Sequence, residues 1–92
     1  MRESHVEREV CRFARERRIL VMKLSGPNLR GQPDRLFLNN KISCFLEFKA
    51  PGKKPTKLQQ HWLEKLSAEG FHATWCDDVE RGKEYLRGVF SL

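Results

Sequence analysis

Ninety-two residues, 39% of them hydrophobic and 10% aromatic, suffice for one modest core and exclude a multidomain architecture, so residues 1–92 read as a single domain. The N-terminus is charged throughout, unlike a signal peptide, and no apolar run approaches the roughly 20 residues of a membrane span, so a cytoplasmic location is the expectation. Eighteen basic against twelve acidic residues give a net charge of +6, a balance suited to a polyanionic partner.

Taken in order, the chain predicts α-β-β-β-α-β-α. Residues 3–17 place Val6, Val10, Phe13 and Ala14 at the i, i+4, i+7, i+8 spacing of a buried helix face, with Glu3 and Glu7 flanking that stripe. Residues 19–23 form a short apolar strand ending in Lys23. Residues 24–32 are a loop marked by Gly26, Pro27, Asn28 and Gly31, and it carries Arg30. Two strands and a turn follow. Residues 50–55, bounded by proline and glycine, form a loop with Lys53 and Lys54, and Lys57 lies just beyond.

Residues 56–69 are the second long helix. Thr56 suits its N-cap, Gly70 its C-terminal turn, and Leu58, Trp62, Leu63 and Leu66 its buried stripe. Gln59 falls on the same inward face and has two competing readings. Thr56-x-x-Gln59 fits a capping box, which needs no function; otherwise Gln59 is a polar group aimed at the sheet. Residues 71–76 form the next strand. Asp77-Asp78 would cap the last helix, residues 79–87, rather than bind metal. Cys11, Cys44 and Cys76 are odd in number and lack CxxC spacing, so they read as small core residues. His5, His61 and His72 have no convergent spacing.

The hairpin organises the rest. Asn40-Lys41 is its turn, because Asn tolerates the left-handed conformation that two-residue hairpin loops need. Counting outward pairs Asn39 with Ile42 and, at the far end, Asp34 with Glu47. Opposed residues share a face, and period-two alternation adds Lys49 to it. Leu36, Leu38, Ser43 and Phe45 fill the rest of that face; Phe37, Ile42, Cys44, Leu46 and Phe48 form the other. Both are largely apolar, so the hairpin is expected at the sheet centre, covered on both sides. Two carboxylates and an ammonium then meet at the sheet rim. As a cross-strand ion-pair cluster they would be worth little; as hard oxygen donors they suit Mg²⁺.

Pro33-Asp34 followed by Glu47-Phe48-Lys49 resembles the PD-(D/E)XK nuclease signature. Gly31-Gln32-Pro33-Asp34-Arg35 resembles the G-x-P-D-R element of its VRR-NUC branch. The run from Glu47 to Gln59 resembles that branch's E-x-K-A-P-G-K-K-P-T-x-L-Q segment. The likeness spans nearly the whole chain and is that of the stand-alone VRR-NUC proteins found in bacteriophages.

The resemblance implies a restriction-endonuclease-like α/β fold, a mixed β-sheet flanked by helices. It also implies a metal-dependent endodeoxyribonuclease that uses Mg²⁺, with Mn²⁺ able to substitute. Asp34 and Glu47 would be metal ligands, the Phe48 carbonyl a third, and Lys49 the group that orients or deprotonates the attacking water. Gln59 would stand near them. A first-helix glutamate would serve a second metal or an outer water; Glu7, in an E-R-E-V run similar to that of archaeal junction resolvases, competes with Glu3. Lys23, Arg30, Lys53, Lys54 and Lys57 would contact DNA phosphates, or else be solvated loop charges. The substrate would be branched DNA such as a four-way junction, or flaps and nicked duplex, cut by a homodimer whose interface is expected at Tyr85, Leu86, Val89 and Phe90. A non-catalytic module that binds structured DNA is the alternative.

Overall fold

The computed structural model describes residues 2–28 and 30–92. Its elements are α1 (Glu3–Glu16), β1 (Leu20–Lys23), β2 (Arg35–Asn39), β3 (Ile42–Phe48), α2 (Lys57–Ala68), β4 (His72–Cys76) and α3 (Val79–Phe90), the succession expected from the sequence. The strands lie in the order β1-β2-β3-β4. The first two pairings are antiparallel, whereas β4 runs parallel to β3. A parallel neighbour cannot be reached by a tight turn, and α2 supplies the crossover.

The hairpin turns at Asn40 and Lys41, with φ of 49° and 68°. Positive φ at both central residues is the primed turn whose twist matches that of the strands. The register follows from it, Asn39 opposite Ile42 through to Arg35 opposite Leu46. One step further along this register, Asp34 stands across from Glu47.

One face of the sheet is sealed by α1 and α3. Phe37, Cys44, Leu46 and Phe48 meet Val6, Val10, Phe13, Ala14, Leu86 and Phe90 there. The two helices come together at Gly82, where a Cβ would lie 2.6 Å from Val10 Cγ2. Cys11, Cys44 and Cys76 are buried free thiols.

The other face is covered only in part. α2 lies chiefly over β4, leaving Leu20 and Met22 of β1 58% and 45% exposed and their β2 partners Leu38 and Leu36 half-buried. The central hairpin is therefore enclosed on one side, not on both as expected. Of the stripe expected on α2 only Leu63 is buried; Leu58 is 47% exposed because the first turn of α2 sits over the Gly31 loop rather than over the sheet.

α3 runs three residues past its expected end. Gly88 in a helix interior costs about 1 kcal/mol relative to Ala, but burying a phenylalanine contributes about 1.5–3 kcal/mol, and Phe90 is only 9% exposed. Leu86 and Phe90 belong to the core, with Tyr85 and Val89 packed against it. The expectation of a dimer interface here is corrected for Leu86 and Phe90, which the protomer's own core takes up, while Tyr85 and Val89 keep part of their surface. Among the described residues, no helix is long and apolar enough to cross a membrane.

Candidate active site

Asp34 sits one residue before β2. Its carbonyl accepts from the Leu24 N–H at 2.9 Å, and its Oδ2 accepts from the Phe48 N–H at 2.8 Å. The side chain is thus tied to the last residue of β3. Burial pushes its carboxyl above the ordinary aspartate value; the Phe48 N–H offsets this in part, and Glu7 and Glu3 add to it.

Among the described residues Glu47 is the one buried charged side chain, at 2% exposure. Its Oε2 accepts from Gln59 Nε2 at 2.9 Å and lies 4.0 Å from Lys49 Nζ, an electrostatic contact too long for a hydrogen bond. Its Oε1 is buried with no partner. Burial first, and then Asp34, push the Glu47 carboxyl up to about 8. Lys49 leaves the strand with its N–H on the Cys76 carbonyl at 2.9 Å, which fixes its backbone beside β4.

Gln59 does both things that the sequence set against each other. Its N–H donates to Thr56 Oγ1 at 3.2 Å and its Oε1 accepts from the Thr56 N–H at 2.9 Å, a complete capping box. The Nε2 at the other end of the same amide reaches Glu47. The box holds the amide in the orientation that presents its N–H to the carboxylate.

The remaining expected residues lie further out. Glu7 is taken by Arg35, whose Nε donates to Glu7 Oε2 at 2.6 Å between half-buried side chains. Arg35 follows Asp34, and strand alternation turns it to the α1 side. No role for it was read from the sequence, although its place in the Gly31–Arg35 element and the period of the strand were the available signals. Glu3 is exposed on the first turn of α1. Among the described residues, no three His, Cys, Asp or Glu side chains come together as a metal-holding cluster. Lys23, Arg30, Lys53, Lys54 and Lys57 are all exposed.

The donor set nevertheless suits a hard divalent cation. A buried carboxylate with one oxygen orphaned, a second carboxylate raising its pKa, and no compensating full charge within hydrogen-bonding distance make an arrangement that a cation would stabilise. Phe48, whose carbonyl would complete the set, stands between Glu47 and Lys49 at the end of β3.

No protein-family model matches the chain. It is similar to "Putative nuclease p44" of Acyrthosiphon pisum secondary endosymbiont phage 1, with 39% identity over 82 residues that cover 87% of each protein. Its fold is similar to a solved structure described as "VRR_NUC domain", with a TM-score of 0.82, 23% identity, and coverage of 92% of this chain and 94% of that one.

Proposed function

The chain belongs to the VRR-NUC family of nucleases, and on that footing we propose that it hydrolyses phosphodiester bonds in DNA with Mg²⁺, or Mn²⁺ in its place, held by Asp34, Glu47 and the Phe48 carbonyl. Glu47 carries this reading: a buried carboxylate, oriented by Gln59 through one oxygen and left with the other unpartnered. The bound ion would supply charge neutralisation at the phosphate and an acidified water.

The chain's own groups do the rest. Gln59 fixes Oε2 of Glu47 and so aims Oε1. The Phe48 N–H fixes Asp34. These bonds are made in advance, so the carboxylates need no reorganisation when substrate arrives. Lys49 reaches the same edge and orients or deprotonates the attacking water. Glu7, once released by Arg35, or Glu3 would hold an outer water. Lys23, Arg30, Lys53, Lys54 and Lys57 grip phosphates and carry no sequence information.

Branched DNA, a four-way junction foremost, is the substrate we infer, cut by a twofold dimer in the cytoplasm of a bacterial or phage-infected cell. The open face around Leu20 and Met22 is where the second copy would sit.

Incubating hairpins, flaps, nicked duplex and four-way junctions with Mg²⁺ tests the reading. Cleavage of at least one, abolished by EDTA and by Asp34→Ala, Glu47→Ala or Lys49→Ala, is expected. Binding without cleavage under every divalent cation would favour the non-catalytic module.

A further inference from the structure

Between β3 and α2 the chain makes an eight-residue connection, Lys49 to Thr56, whose two ends are already fixed. Lys49 N–H is on the Cys76 carbonyl, and Thr56 is locked in the capping box. The part that projects is Ala50-Pro51-Gly52-Lys53. The Lys53 N–H closes it on the Ala50 carbonyl at 2.9 Å, and Gly52 has φ of 85°. Pro followed by Gly at positive φ is the pattern of a type II turn. Such a turn sets its own shape but not its direction relative to the sheet.

One long-range bond sets that direction. The Gly52 N–H, which faces out of the turn, donates to Asp77 Oδ2 at 3.1 Å. Asp77 follows β4, and its other oxygen accepts from Arg81 Nη1 at 3.0 Å. The Arg81 guanidinium lies 5.5 Å from the ring centre of Trp75, which stands opposite Glu47 in the β3–β4 register. Asp77 is not needed to start α3, because Asp78 caps it by accepting from the Arg81 N–H at 2.9 Å. An acidic side chain beside a loop that carries Lys53 and Lys54 would otherwise work against an anionic ligand. Its pairing with Arg81 mutes that charge.

We propose that Asp77 is a positioning residue: through Gly52 it fixes the Lys53–Lys54 turn beside Lys49, so that both lysines meet DNA phosphates without first being ordered. The proposal rests on the reading of this edge as a DNA-cleaving site, but its tether can be measured without cleavage. Ordering a basic turn on binding costs affinity that a preformed turn does not lose.

Three readouts on Asp77→Ala and Asp77→Asn test it. The first is amide exchange at Gly52 and the second is the rate of trypsin cleavage after Lys53, the Lys54–Pro55 bond being resistant. The third is affinity for a junction DNA in EDTA. Asp77→Ala should speed exchange and cleavage and weaken binding about fivefold, with the melting temperature little changed. Asp77→Asn keeps one oxygen for the Gly52 N–H, although it gives up the pairing with Arg81, and should restore slow exchange and slow cleavage. Unchanged Gly52 exchange in Asp77→Ala overturns the tether. Faster exchange with wild-type affinity overturns the positioning role. Wild-type protein that binds junctions but never cuts them overturns the nuclease reading alone, since the affinity comparison still decides the role of Asp77.

Discussion

Gln59 and Glu47 are joined by a 2.9 Å bond from the amide nitrogen of a helix cap to a buried carboxylate. The helix start and the candidate metal site are therefore one construction. Thr56 orients the amide, and the amide orients the carboxylate. Had Gln59 been only a cap, its nitrogen would face water; had it been only a site residue, an entropic cost would attach to holding its long side chain still.

The two roles separate by mutation. Gln59→Ala removes both, and should lower cleavage at least about tenfold, about 1.4 kcal/mol of transition-state stabilisation, and cost about 1 kcal/mol of stability. Thr56→Ala removes a partner of the cap and leaves the Glu47 contact, so it should show the stability loss with most of the turnover. Chemical denaturation and cleavage rates on both variants check this. Turnover as low in Thr56→Ala as in Gln59→Ala would sink the division of labour.

The second expectation concerns pH in the absence of metal. Glu47 ionises at an ordinary value near 4.5 in the unfolded chain and at about 8 in the folded one. Between these pH values the folded state holds a proton that the unfolded state has released. The contribution of Glu47 to stability in EDTA is therefore full below about 4.5 and is lost as pH rises toward about 8. Mg²⁺ added at pH 8 should raise the melting temperature, because it binds the folded state alone. Glu47→Gln should flatten the slope and lose the Mg²⁺ effect. A melting temperature that is level from pH 5 to pH 8 in EDTA would contradict the assignment.

Much of this site was legible in the sequence for geometric reasons. Asn40 announces a turn with positive φ, the turn fixes the register, and the register puts Asp34 across from Glu47. Period two adds Lys49. What was not legible depends on how elements lie across one another. Leu58 sits in a good helical stripe, yet its turn overhangs the Gly31 loop, and no periodicity reports where a helix ends relative to a sheet. Glu7 reads as a free helix carboxylate until α1 is placed on the Arg35 side. The two readings of Gln59 exclude each other only for a residue with a single polar end, whereas an amide has two. The extension of α3 turns on Phe90, whose burial outweighs the break suggested by Gly88.

Phosphate contact by the exposed basic residues predicts a third result. Lys53→Ala, Lys54→Ala, Lys57→Ala and Arg30→Ala should each weaken binding evenly across DNA sequences. Each should also reduce the slope of log affinity against log salt by about one. Fluorescence anisotropy over a salt series on two unrelated junction sequences measures both. Losses that differ between the sequences would mean base reading instead.

The last expectation is the dimer and the face that makes it. β1 is an edge strand whose exposed residues are apolar but for its final Lys23. Edge strands in stable monomers are ordinarily guarded by charge, proline or a covering element. Here Leu20 and Met22 are 58% and 45% exposed, on the same side of the sheet as Glu47. A twofold contact is self-complementary, so one apolar strand suffices to bring two copies together, and a contact at β1 would fix the separation of two sites for paired incisions. Lys23 ends this strand opposite Arg35, toward the Asp34 edge, and the aliphatic Leu20 and Met22 before it offer phosphates nothing. Light scattering at micromolar concentration should report about twice the 10.9 kDa chain mass. Leu20→Lys with Met22→Lys should halve it while the fold survives, because both side chains face water in the protomer. Phe71→Lys, an exposed apolar position next to β4 at the opposite edge of the sheet, should leave the dimer intact. A wild-type mass near 10.9 kDa in protein that still makes paired cuts on a cruciform plasmid would remove the need for a second copy.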